Sequence, residues 1–309
     1  MKQVGVVGLG DMGSGLAKNL IAAGYETRGI DLSERRMSDF IEMGGVKAGS
    51  VAEIGRTCQA VFVMVMTGAQ AKQVILGDED NPGLLGNMVP GGIVLLTATI
   101  KASEAREIGA GLVQSGIDLI DSPVSGGYPG AQSGTLTMMA AASEAALERA
   151  RPVMQAISKT IHPVGKEAGM GQTVKACLQS LIGSIFAATF EASALAAKAG
   201  VNGEVLFNVV STSGAGCGVA NTALENIIDR QFEGTGSHIN TMYKDLTIAL
   251  DMARELGVPL FTAATAMQLF QAGKTKHPDG DNWVVTRVIE DIVGAGLSRD
   301  SSAFRETGD

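Results

Sequence analysis

Apolar and polar positions follow two different patterns along this chain. In the first half, short apolar runs lie between amphipathic stretches. The runs 3–9 (QVGVVGL), 26–30, 60–66, 92–97 and 117–121 predict strands, while 13–23, 33–43, 68–75 and 102–115 carry helical spacing. Regular alternation of strand and helix implies βαβ units around a parallel sheet. A strand at 135–141, a helix at 143–156 and a strand at 159–165 complete this half. From about Glu167 the pattern changes. One long apolar helix over 169–199 leads into helical patterns at 203–212, 219–229, 240–256 and 259–272, and strand-like alternation does not return. The fold class expected is α/β in residues 1–164, joined by the long helix to an all-α domain at 165–297. A polar tail follows at 298–309.

Composition narrows the function classes. A chain of 309 residues has material for two cores. Its net charge of −8 comes without a basic stripe, so no electrostatic footprint for nucleic acid is present. Three cysteines (Cys58, Cys177, Cys217) and three histidines are scattered, with neither disulfide-framework nor metal-ligand spacing, so no metal is expected. The N-terminus enters a strand pattern at once and shows no signal-peptide organisation. The longest uncharged run, Ala176 to Phe190, carries Gln179, Ser180, Ser184 and Thr189. It is short for a membrane span and reads as a core helix, so a cytoplasmic location is expected.

The stretch VVGLGDMGSGLAKNL contains Gly8-Leu9-Gly10-Asp11-Met12-Gly13, a G-x-G-x-x-G pattern. By itself the pattern is weak, but here it follows a strand and opens a helix. In that context Gly8 makes the tight turn, Gly10 admits a pyrophosphate and Gly13 lets helix and strand pack closely. The phosphates would lie on the helix N-terminus. A Rossmann-type NAD-binding domain is the expectation. Asp31 ends the second strand, where a carboxylate bonds the adenosine ribose and repels a 2′-phosphate, so NAD is favoured over NADP. The alternatives are that Asp31 caps the following helix, or that Arg35 or Arg36 takes a phosphate.

Lys175 heads the uncharged run, with Gln179 one turn later on the same helical face. A lysine there either snorkels to water or faces a pocket where its amine acts as a base. Desolvation in such a pocket lowers a lysine's pKa. Ser125, Gly126 and Gly127 follow the last sheet strand, at the edge where α/β folds bind ligands, and offer neutral donors to a carboxylate. An ordinary Gly/Ser loop is the alternative.

Four motifs in order, GLGDMGSGLAKNL, DSPVSGG, GMGQTVKACLQ and YKDLTIALDMARELGVP, resemble the β-hydroxyacid dehydrogenase family. The resemblance spans about residues 3–290. It implies an active site in the cleft between the two domains, with Lys175 as the catalytic lysine and Ser125, Gly126 and Gly127 as the substrate loop. It also implies that Thr99 and Lys244 lie beside the cofactor, with Asp245 supporting Lys244. Three departures stand out: Gln179 replaces the usual asparagine, Ala98 replaces the serine before Thr99, and Tyr128-Pro129 follow the glycines. The Lys-x-x-x-Gln variant looks most like the threonate-type branch, which acts on four-carbon sugar acids. Tyr128 either narrows the pocket or packs on a neighbouring helix. His238, Asn240 and Trp283 are rim candidates or structural residues. The implied partners are a small carboxylate substrate and a second copy in a homodimer or homotetramer, with no nucleic acid or membrane. An imine reductase on the same scaffold and a non-catalytic NAD(P)-binding interaction protein are the rival readings; Lys175 counts against both.

Overall fold

Val4–Val7, Ala60–Val63 and Ile93–Leu96 offer almost no polar face, and all three are buried along their length, as strands covered on both sides must be. A computed structural model describes residues 1–300. Its first compact unit ends at Lys175 and its second begins at Ala176. The first unit runs β1 (Gln3–Val7), α1 (Asp11–Ala22), β2 (Glu26–Ile30), α2 (Glu34–Glu42), β3 (Val46–Lys47), α3 (Val51–Thr57), β4 (Ala60–Val63) and α4 (Gly68–Leu76). It continues with β5 (Ile93–Leu96), α5 (Ala102–Leu112), β6 (Asp118–Asp121), β7 (Val124–Ser125), α6 (Gly127–Ser133), β8 (Leu136–Ala141), α7 (Glu144–Ile157) and β9 (Ser158–Gly165).

The strands form one sheet in the order β3-β2-β1-β4-β5-β6-β8-β7, with β9 added to β8. Pairing is parallel from β3 to β6. The pairs β6/β8 and β7/β8 are antiparallel. Successive strand residues serve opposite faces. Phe62 and Leu95 join the apolar layer that holds Leu16, Leu20 and Phe40, while Val61, Val63, Val94 and Leu96 join the layer that holds Ile54, Ile75 and Ile108. The α/β reading of this half therefore holds. The short β3 and α3, the two-residue β7, and α6 are additions that local pattern did not predict.

The second unit takes up most of α8 (Met170–Lys198), then α9 (Gly203–Thr212), α10 (Gly218–Ile228), α11 (Ile239–Leu256) and α12 (Phe261–Lys276). A 3-10 turn at Asn282–Val285 leads into α13 (Thr286–Val293), which the sequence reading did not mark. Its core is aromatic: Phe186, Phe190, Phe270 and Trp283 lie with ring centroids 5.9 to 6.2 Å apart. By length and composition α8 could cross a membrane, with a mean hydropathy of 1.4 in its most apolar window, yet it carries Lys175 and Glu191 and buries Phe186 and Phe190 in this core.

The division between these compact units falls inside α8. The reason is that the first turn of α8 is hydrogen-bonded to the sheet. The start of the expected polar tail is also held: Gly203 donates to the Ser298 carbonyl, Arg299 donates from its backbone to the Ile228 carbonyl, and its side chain pairs with Asp229. The rest of that tail, 301–309, lies outside the described residues.

Candidate functional site

The turn between β1 and α1 is built for close approach. Gly8 has φ +91°, and a Cβ there would fall 2.2 Å from the Met64 carbonyl oxygen. A Cβ on Gly13 would fall 1.9 Å from the Gly8 carbonyl oxygen, so neither position tolerates a side chain. Gly10 differs. It caps α1 without a side-chain bond, and the nearest atoms to a Cβ there belong to Arg36, at 3.8 Å. That glycine keeps the helix N-terminus open, where an anion binds best.

Asp31 follows β2 and stands beside this turn. Its Oδ2 accepts from the Leu9 backbone N–H at 2.7 Å and its Oδ1 from Ser33 at 2.8 Å. The cap of α2 is Ser33, which accepts from the Arg36 N–H, so Asp31 is not the capping residue. An open helix N-terminus, two glycines that admit no Cβ, and a carboxylate at the end of β2 together fit a dinucleotide. Arg36 Nη1 lies 3.8 Å from Asp31 Oδ1 on a half-exposed side chain. Removing the carboxylate leaves that guanidinium available to a 2′-phosphate. Asp31→Ser is therefore expected to lower the NAD-to-NADP ratio of kcat/KM by roughly tenfold or more, given 1.5–3 kcal/mol for a charged hydrogen bond. Initial rates with both cofactors check it, and an unchanged ratio would remove Asp31 from the ribose site.

At the carboxyl edge of the sheet, Asp121 ends β6 and is fully buried. Its Oδ2 accepts from the backbone N–H groups of Gly169 (2.8 Å), Gly171 (3.0 Å) and Gln172 (3.3 Å), and its Oδ1 accepts from Gln172 Nε2 at 2.8 Å. Burial pushes the Asp121 carboxyl up and the four donors pull it back, burial prevailing. Gln172 also donates to the Ala98 carbonyl (3.1 Å) and accepts from the Ile100 N–H (3.0 Å), so its amide straddles Thr99. These bonds fix the head of α8 against the ends of β5 and β6. Lys175 follows within the next turn of that helix, with only 6% of its surface exposed.

Ser125 pairs with Thr137 of β8, and Gly126 and Gly127 take φ +133° and +58°, values that a side chain would strain. They open α6, which is clamped to the nucleotide helix. A Cβ on Gly15 of α1 would meet the Ala131 carbonyl carbon at 2.6 Å, and Asn19 Nδ2 donates to the Ala131 oxygen at 2.8 Å. The Ser-Gly-Gly turn and the glycine-rich turn thus belong to one rigid piece. Tyr128 is partly exposed, at 38%. Asp121, Gln172 and Asn19 were not singled out from sequence, although each sits inside a motif that was. The available signal was Asp121, a carboxylate ending an apolar run just before Ser-Pro.

In the second unit, Gln179 of α8 is buried and donates through Nε2 to Asp245 Oδ2 of α11. Lys244 Nζ lies 3.2 Å from Asp245 Oδ1. His238 Nδ1 stands 3.7 Å from the buried Asp281, Asn240 donates to the Pro278 carbonyl, and Trp283 packs edge-on against Phe186.

A family model described as the NAD-binding domain of 6-phosphogluconate dehydrogenase matches residues 3–165. A second, described as NAD-binding of NADP-dependent 3-hydroxyisobutyrate dehydrogenase, matches 169–289. The L-threonate dehydrogenase of Escherichia coli O6:H1 is 33% identical over 95% of this chain and 96% of its own length. The chain is a β-hydroxyacid dehydrogenase family member. An NAD-dependent L-serine dehydrogenase of Pseudomonas aeruginosa is 32% identical over 95% of this chain and 100% of its own length. The crystal structure of a 3-hydroxyisobutyrate dehydrogenase from Salmonella typhimurium superposes with a TM-score of 0.84 at 32% identity, covering 93% of this chain and all of that one. Members of the β-hydroxyacid dehydrogenase family are NAD(P)-dependent oxidoreductases acting on CH–OH donors, and this chain carries both of the family's domains.

Proposed function

We propose that this enzyme oxidises a small β-hydroxy acid with NAD, using Lys175 as general base, and that four-carbon sugar acids such as threonate are the preferred class. The observation that carries the reading is Lys175 itself. It is an amine buried to 6% exposure, on a helix whose first turn is tied by Asp121 and Gln172 to the carboxyl edge of a nucleotide-binding sheet. Lysine is among the residues least often buried this deeply.

Bound NAD supplies the hydride acceptor. Gly8, Leu9, Gly10, Asp11, Met12 and Gly13 would hold its phosphates and Asp31 its adenosine ribose, with Thr99 and Lys244 beside the nicotinamide and Asp245 supporting Lys244. Ser125 and the N–H groups of Gly126 and Gly127 bind the substrate carboxylate, with Gln179 contributing to the substrate site. Lys175, in its neutral form, takes the hydroxyl proton as the carbinol C–H pair leaves as hydride, and the carbonyl forms. In the reverse direction the ammonium returns that proton to the alkoxide.

A soluble cytoplasmic homo-oligomer is part of this reading. Leu181 and Leu195 on α8 and Val205 and Val209 on α9 are apolar and largely exposed, a surface that a second copy would cover. The test is NADH formation with L-threonate, D-threonate, erythronate, glycerate, L-serine, 3-hydroxyisobutyrate and 3-hydroxypropionate, each with NAD and NADP. Turnover of one acid with NAD supports the reading. Tight NAD binding without turnover of any acid would sink it.

A further inference from the structure

Gln179 stands where the family resemblance expects asparagine, and its amide is not free to turn. A carboxylate only accepts hydrogen bonds, so the edge of Gln179 that faces Asp245 Oδ2 must be its NH2 group. The same NH2 group lies 3.9 Å from Met242 Sδ. Asp245 is in turn held by Lys244 at 3.2 Å from its other oxygen. The NH2 group is thereby engaged within the protein. What Gln179 turns away from Asp245 is Oε1, an atom that can only accept.

We propose that Asp245 fixes Gln179 as an acceptor, and that Gln179 thereby selects a hydroxy acid carrying a second O–H or N–H donor beside the carbinol that reacts. The proposal rests on Lys175 being the base. A hydroxyl has one hydrogen, and when the reacting hydroxyl gives it to Lys175, nothing remains on that oxygen to donate to Gln179. The carbonyl one turn along the same helix therefore needs a different donor on the substrate. A monohydroxy acid leaves Oε1 facing a C–H bond. A buried acceptor without its donor costs binding that the matched substrate keeps. Here Gln179 contacts the substrate and Asp245 is a positioning residue that acts through it.

Three acids with one carbon skeleton make the test: glycerate, L-serine and 3-hydroxypropionate carry at C2 a hydroxyl, an ammonium and a hydrogen. The full-length enzyme with NAD is expected to favour the better of the first two over 3-hydroxypropionate by about tenfold or more in kcat/KM. Gln179→Met keeps the volume and removes the acceptor, and should bring that ratio close to one. Asp245→Ala leaves the amide but releases it. Its ratio should fall as well, through KM for the donor-bearing acid more than through kcat, and calorimetric binding of each acid should show the same loss. Gln179→Asn, which draws the acceptor back by one methylene, gives a second variant of conservative size, expected to lower the ratio in the same direction. Which of glycerate and L-serine is preferred identifies the donor. A wild-type ratio near one, equal losses on all three acids in Gln179→Met, or a wild-type ratio retained in Asp245→Ala would each overturn the proposal while leaving the dehydrogenase reading intact. Failure of the wild type to oxidise any hydroxy acid would overturn both.

Discussion

Lys175→Met is expected to lower kcat by about 10²–10⁴-fold while leaving NAD affinity near that of the wild type, the range that a positioned general base contributes. Methionine nearly matches the length of the lysine stem and keeps its apolar packing. The variant is therefore expected to stay folded, which a thermal melt checks. Lost turnover in an enzyme that is folded and still loaded with cofactor separates chemistry from folding. Lys175→Arg tests the same point from the other side, since a guanidinium retains charge but does not act as a base. Single-turnover NADH formation and calorimetric NAD binding on both variants decide it. Wild-type rates in either variant would take the proton transfer away from this residue.

The parts of the molecule legible in the sequence are those that local pattern dictates. β1, β4 and β5 are buried on both faces, so they read as unbroken apolar runs, and α8 reads within one residue of its observed Met170–Lys198 because it is apolar for most of its length. The glycine-rich turn was legible because it falls between a strand and a helix, and contacts as short as those at Gly8 and Gly13 leave no other residue type. Illegible elements are short or tertiary in origin. β3 has two residues and pairs with β2, and α6 begins at two glycines and is held by Asn19, more than a hundred residues earlier in the chain. The candidate site divides the same way. The spacing of Lys175 and Gln179 is a local property of one helix, whereas the direction of the Gln179 amide depends on Asp245, 66 residues away. The anchoring of Lys175 likewise depends on Asp121, about fifty residues earlier in strand β6, so the first turn of α8 belongs to the first compact unit.

Asp121 carries the second large expectation. Asp121→Ala leaves the N–H groups of Gly169, Gly171 and Gln172 and one hydrogen of the Gln172 amide without their acceptor, in a site where the carboxylate is fully buried. At about 1–3 kcal/mol for each buried group left unsatisfied, partly offset by the charge no longer buried, the loss of folding stability is expected to be about 3 kcal/mol or more. Asp121→Asn retains one acceptor for the backbone groups but sets its NH2 against that of Gln172, so about 1–2 kcal/mol is expected at neutral pH. The two variants also differ from wild type in pH dependence. Because burial holds the folded Asp121 carboxyl above its ordinary range, the folded protein keeps a proton that the unfolded chain has already lost. Wild-type stability from this group is fully present below the unfolded carboxylate range and declines as pH rises through the folded value. The asparagine variant lacks that term, so the advantage of wild type over Asp121→Asn should widen as pH falls toward about 4, the ordinary aspartate range. Urea titrations of both proteins across that interval measure it directly. An advantage that narrows on acidification would mean that the four donors outweigh burial and hold the carboxylate charged. Either sign leaves a positional consequence for Lys175: a head of α8 released from β6 moves the amine, and kcat should fall in Asp121→Ala even under conditions where the variant is fully folded.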